Sequence, residues 1–201
     1  TGLARVLRFD ARGRWKGEFG GGVLVRPTGL AWDAARSRLY VADTHGHCIR
    51  VFDAAGRHVN DLGRRGVSPG QFDFPTDVKL TPTGDLIVCD ALNGRIQRLA
   101  PDGRPLGMFG RTGDARGDFG RPKGVALDTD GHVYVMDTLY DVLQVFDADG
   151  RLLLVIGGAG AEAGRFNLPA GIAIDAADHI YICDSANHRV QVLQYLGGGT
   201  R

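Results

Sequence analysis

The sequence predicts an all-β fold made of one unit repeated, and three observations carry that reading. Pro27, Pro75, Pro122 and Pro169 recur at steps of 48, 47 and 47 residues. Asp43, Asp90, Asp137 and Asp184 recur 47 residues apart throughout, and Gly56, Gly103 and Gly150 keep the same step. Within each period the apolar residues fall in short runs closed by turns, with no helical periodicity. Four short strands per unit at this period make a propeller blade, so the expected fold is a β-propeller.

The elements of a copy follow in order. After the proline comes a short run (Gly29–Asp33, Asp77–Thr81, Gly124–Asp128, Gly171–Asp175), small and apolar on both sides, which predicts an inner strand buried on both faces. A tight turn follows, with Gly84, Gly131 or Asp178 near its end. "RLYVAD", "DLIVCD", "HVYVMD" and "HIYICD" are second strands, rich in β-branched and aromatic residues. "CIRVF", "RIQRL", "VLQVF" and "RVQVL" are third strands, and in three copies a D-x-x-G or P-D-G turn leads to a fourth run such as "RLLLVIG". Phe72, Phe119 and Phe166 stand three residues before their proline, with Leu24 in that place in the first copy. They read as framework.

Composition narrows the function. The net charge of +1 predicts no strong field for nucleic acid. Its distribution is uneven: residues 1–65 carry 12 basic and 6 acidic side chains, whereas 66–201 carry 12 and 17. No apolar run approaches the ~18 residues of a bilayer span. Cys48, Cys89 and Cys183 are odd in number and none has C-x-x-C spacing, so no zinc or haem motif is written here. Each lies in a strand-like run and is expected to act as a small buried hydrophobe.

At this point the residues match a family. "LPAGIAIDAADHIYICDSANHRVQVLQ" resembles an NHL repeat, with Asn187 and His188 at the place of the Asn-His pair that names it. "DALNGRIQRL", "DTHGHCIRVF" and "DTLYDVLQVF" keep weaker versions, so the resemblance covers nearly the whole chain. It implies a propeller, usually of six blades. Residues 1–22 read as the C-terminal half of an incomplete blade, because "RVLRFDARGRWKGEF" matches third and fourth strands. Residues 23–201 read as four NHL repeats of one propeller domain, at about 23–69, 70–116, 117–163 and 164–201, the last stopping after its third strand. Six blades need about 24 strands at four per blade, so the chain is expected to be part of a six-bladed ring with the missing part upstream. The alternative is a closed four-bladed ring in which Gly13–Phe19 supplies a strand beside Arg189–Gln194.

In a repeat protein, what recurs is architecture, and function is sought where copies depart from the pattern. Asp43, Asp90, Asp137 and Asp184 each end a strand, where a carboxylate accepts backbone N–H bonds of the next turn, so they read as structural. Arg95 and Arg189 are their expected partners, with Cys48 and Val142 in that place in the other copies. The loops after the second strands and the long connections between blades open on one face. The candidate binding residues there are Thr44, His45, His47, Arg64, Arg65, Leu139, Tyr140 and Asp141. Asp77 and Lys79 join them, being ionisable on an inner strand where the other copies have Gly and Ala; the bland reading is an internal ion pair.

Three function classes result. A protein-binding scaffold fits a rigid ring with varied loops on one face and no assembled catalytic set, so no cofactor is called for. The second is a metal-dependent propeller lyase or hydrolase, which the family resemblance implies for some relatives. His47 and His188 share a register, yet a metal needs three or four converging ligands. The third is a nucleic-acid binder, which the near-neutral charge disfavours. The ending "VLQYL" is similar to that of exported bacterial NHL proteins, some of which accompany multihaem cytochromes. That resemblance implies an extracytoplasmic location and a redox or cytochrome assembly as one partner.

Overall fold

The structure, a computed structural model, describes residues 2–196. The last five residues of the fourth expected repeat therefore lie outside the described residues. Every regular element is a strand, apart from three short 3-10 turns, Thr44–Gly46, Ala91–Asn93 and Ser185–Asn187. The chain is all-β, a β-propeller of four-stranded antiparallel blades.

Strands β1 (Val6–Phe9) and β2 (Trp15–Phe19) pair with each other as a two-stranded sheet. The first full blade is β3 (Pro27–Asp33), β4 (Arg38–Asp43), β5 (Cys48–Asp53) and β6 (His58–Leu62), hydrogen-bonded in chain order. The second is β7 (Pro75–Leu80), β8 (Leu86–Asp90), β9 (Arg95–Leu99) and β10 (Pro105–Phe109). The third is β11 (Pro122–Leu127), β12 (Val133–Asp137), β13 (Val142–Phe146) and β14 (Leu152–Gly157). The fourth sheet has three strands, β15 (Pro169–Ile174), β16 (His179–Asp184) and β17 (Arg189–Gln194).

The two strongest repeat signals meet in space. Pro27, Pro75, Pro122 and Pro169 stand directly across from Asp43, Asp90, Asp137 and Asp184. In every copy the register shifts just after the proline. Proline has no N–H to give a ladder, so it sits where pairing begins and a bulge interrupts it.

Two compact units carry these sheets. One runs to Asp90 and takes in Gln97–Gly107; the other holds Ala91–Ile96 and the described chain from Met108 onward. In the first, Tyr40, Ala42, Ile49 and Val51 pack with Val78, Leu86 and Val88. In the second, Tyr134, Met136, Leu143 and Val145 pack with Ile172, Ile180 and Ile182. In each, one blade lays its second and third strands on the next blade's first two. A full burial of this kind stabilises by roughly 1.5–3 kcal/mol per large apolar side chain. Leu24, Val41 and Phe52 form a further cluster, joined by Val6 and Phe19 of the leading strand pair.

Two expectations need correction. Only β7 and β11 approach burial on both faces; on β3, Leu30 and Trp32 are exposed, because these alternate residues share one uncovered face. Cys48 and Cys89 are buried, but Cys183 is exposed. The reason is that one face of the fourth sheet is bare. Tyr181, Val190 and Val192 are 38%, 61% and 54% exposed, whereas Tyr134, Leu143 and Val145, the same positions one copy earlier, are 2%, 0% and 5% exposed.

Candidate interaction face

The repeated aspartates anchor the loops that enter their own blades. Asp43 accepts the N–H groups of Val25 (3.0 Å) and Arg26 (2.7 Å), and Asp90 accepts that of Asp73 (2.7 Å). Asp137 accepts those of Gly120 (2.6 Å) and Arg121 (2.9 Å), and Asp184 that of Asn167 (2.8 Å). The donors were expected in the turn that follows; the main ones lie upstream, just before the proline that pairs with the aspartate. Strand pairing brings that stretch beside the carboxylate. The following turn contributes Leu139 N–H to Asp137 (3.0 Å) and Asn187 Nδ2 to Asp184 (2.9 Å).

Cationic partners vary by copy. Arg189 Nε donates to Asp184 at 2.7 Å. In the first copy Arg50, from the middle of β5, reaches Asp43 at 3.2 Å and also pairs with Asp61. Arg95 lies against Met108 Sδ. Burial works against the charge of Asp184, but Asn187, the Asn167 N–H, Arg189 and Gln191 outweigh it and lower its pKa to about 2.

A second recurring device went unread in the sequence. Gln97, Gln144 and Gln191 occupy one column of the third strands. Each donates Nε2 to a backbone carbonyl of the connection leading into its blade: Gln71 (2.7 Å), Asp118 (2.8 Å) and Arg165 (2.6 Å). Each also accepts a glycine N–H there, from Gly70, Gly117 and Gly164, at 2.9 Å. Phe72, Phe119 and Phe166 are fully buried beneath these connections. Gly63 shows why its position is glycine: its φ is +76°, and a Cβ there would strike the Phe72 ring.

On this frame the candidate residues separate. Thr44 is buried, and its Oγ1 donates to the carbonyl of Pro75 in the next blade at 2.9 Å. Thr138 does the same to Pro169 at 2.6 Å, so both hydroxyls tie blade to blade. Asp77 accepts from Lys79 Nζ at 2.6 Å and from the Val78 N–H at 2.9 Å, an ion pair along one strand. Arg64 is exposed, and its carbonyl accepts the Phe72 N–H.

The fourth residue after each aspartate is left-handed: His47, Gly94, Asp141 and His188 have φ of 53°, 60°, 53° and 52°. This conformation closes the turn, and in two copies the side chain there reaches the stretch that enters the next blade. His47 Nδ1 lies 3.3 Å from the Phe74 amide nitrogen, and Asp141 Oδ1 accepts the Leu168 N–H at 2.7 Å. His47 Nδ1 is also 3.0 Å from Asp73 Oδ1. His45 Nε2 is 3.1 Å from Arg26 Nη1, and both imidazoles stand edge-on to Phe74, at 5.1 and 4.6 Å. His188 is exposed.

In the second unit the corresponding surface is apolar. Leu139 and Leu168 are 58% and 57% exposed and Tyr140 is 37% exposed. Leu139 and Tyr140 lie over Gly120, where any Cβ would collide with both. Among the described residues no cluster of three or more His, Cys, Asp or Glu could hold a metal ion, and no helix is long and apolar enough to cross a membrane.

Comparison with known proteins agrees with this frame. The model of the NHL repeat matches residues 24–52 and 166–193. The chain is similar to the human E3 ubiquitin-protein ligase NHLRC1, 34% identical over 74 residues, a match spanning 36% of this chain and 19% of that protein. Its fold is similar to a Bacteroides thetaiotaomicron protein of unknown function (TM-score 0.73, 18% identity, 94% of this chain and 53% of that one). It is also similar to Kuenenia stuttgartiensis hydrazine synthase (0.65, 18%, 95% and 70%) and to a streptogramin B lyase (0.61, 15%, 98% and 63%).

Proposed function

The chain carries NHL repeats on propeller blades, and from that premise we propose that it is a non-catalytic scaffold binding a protein partner through the loops after its second strands. The observation that carries this is the apolar group Leu139, Tyr140 and Leu168, exposed yet held on backbone fixed by Asp137 and Asp141. Exposed apolar and aromatic side chains on a rigid support are what interface centres use. We place the scaffold in an exported bacterial assembly, with a redox protein as one partner, on the resemblance carried by "VLQYL". A ring continued by further blades belongs to the same proposal, supported by the bare face of the fourth sheet.

The metal-dependent lyase reading has less support, since His45 and His47 are engaged with Arg26, Phe74 and Asp73. The test is a capture experiment from the source organism with the parent chain and a double variant, Leu139→Ala with Tyr140→Asn, the pair found in the fourth copy. The parent should retain a partner and the variant should lose about 2 kcal/mol or more of affinity. Equal retention would remove this face, and stoichiometric zinc in the purified protein would favour the lyase.

A further inference from the structure

One continuous strip on the first unit differs in chemistry from the apolar group on the second. Arg26 meets His45, His45 meets Phe74, Phe74 meets His47, His47 meets Asp73, and Arg65 Nε lies 3.7 Å from Asp73. Two arginines and two histidines thus line the strip, and Asp73 is the carboxylate set among them, while Asp43 and Asp90 lie buried beneath it and hold backbone N–H groups. Asp73 sits at one end, between His47 and Arg65, where its Oδ1 is buried and makes no hydrogen bond. At the other end Arg26 is exposed, and no ion pair joins it to a carboxylate among the described residues.

A guanidinium only donates, so in the Arg26 contact His45 Nε2 is the acceptor, and Nδ1 carries the ring's proton as a further donor. Val25, 55% exposed, adds an apolar neighbour to Arg26. The strip therefore offers exposed donors and positive charge beside apolar and aromatic surface.

Resting on the scaffold reading above, we infer that this strip receives an acidic segment of the partner, with a carboxylate beside an apolar side chain. Arginine binds carboxylate through paired, charge-assisted hydrogen bonds, and complementary charge sets which partner docks. Nucleic acid fits less well. Its affinity grows with the number of phosphates neutralised, whereas here two arginines are separated along the strip by Asp73.

Selection of random displayed peptides on the full chain tests this, with a labelled oligouridine titrated in parallel. Enriched peptides should carry Asp or Glu next to an apolar residue. Replacing Arg26→Glu together with Arg65→Glu should weaken them by about tenfold or more. Both side chains are exposed, so the melting temperature should hold; if it falls, Arg26→Gln with Arg65→Gln should weaken binding in the same direction. Neutral or basic peptides, or acidic ones indifferent to these changes, would overturn the inference. So would oligouridine binding tighter than any selected peptide. Peptides lost on Leu139→Ala with Tyr140→Asn but not on the arginine changes would sink the strip and leave the scaffold reading standing. A selection that enriches nothing would sink both.

Discussion

Asp137 holds the amide of Arg121 at 2.9 Å from the far side of a strand pair, sixteen residues along the chain. That bond, with those to Gly120 and Leu139, makes the aspartate the acceptor for three backbone donors at the mouth of its blade. Asp137→Ala should therefore lower stability by roughly 1–3 kcal/mol, as buried donors lose their acceptor. Urea unfolding of parent and variant measures it. An unchanged midpoint, with a binding function lost, would move Asp137 from the frame to the site.

Acid should act on the second unit through its hydrogen-bonded carboxylates, Asp175 and Asp184 foremost, with Asp147 also lowered by the Arg151 N–H. Backbone donation from His179, with Tyr181 and Ala177, holds Asp175 at about 2 against some burial, and Asp184 also lies at about 2. A carboxylate with a depressed folded pKa stabilises above its unfolded value and loses that contribution as pH falls through the folded one. The thermal midpoint should thus drop as pH falls from about 4 to about 2. Asp184→Asn should be less stable at neutral pH and should lose less over that window. A variant with the parent's full acid sensitivity would contradict the assignment.

Thiol reactivity should single out one cysteine. Burial raises the Cys48 thiol to about 11, and Cys89 is also buried, whereas Cys183 is exposed. At pH 8 a thiol-specific disulfide reagent should label one group rapidly and the other two only on unfolding. Mass mapping should find the fast label on Cys183; rapid labelling of Cys48 would show that the first blade opens.

The uncovered face of the fourth sheet should make this chain self-associate. Val190→Lys with Val192→Thr replaces two exposed apolar groups on that uncovered face. The change should reduce association in sedimentation runs while leaving the melting temperature within about 0.5 kcal/mol equivalent, as for surface substitutions. A large loss of stability would mean that these valines are buried in solution.

The fold was legible because its signals are periodic. Proline and aspartate keep one step, and they prove to be strand partners. The site was less legible, for a physical reason. Thr44 looked like a loop residue open to ligand, yet its hydroxyl is buried against the Pro75 carbonyl. That role depends on a neighbouring blade, which a single repeat does not display. The glutamine column was visible in "RIQRL", "VLQVF" and "RVQVL", and a polar residue recurring inside an apolar strand could have marked it. The first copy has Arg50 there, which turns to Asp43 and Asp61 instead.

The glutamine contacts have an evolutionary consequence. Gln97, Gln144 and Gln191 grip main-chain atoms of the connections they hold, and the aspartates likewise hold N–H groups common to any residue but proline. The scaffold is therefore indifferent to most side chains it displays. Provided the left-handed glycines and the buried phenylalanine of each connection are kept, the remaining loop residues can change with little penalty in folding, so recognition can be rewritten one blade at a time.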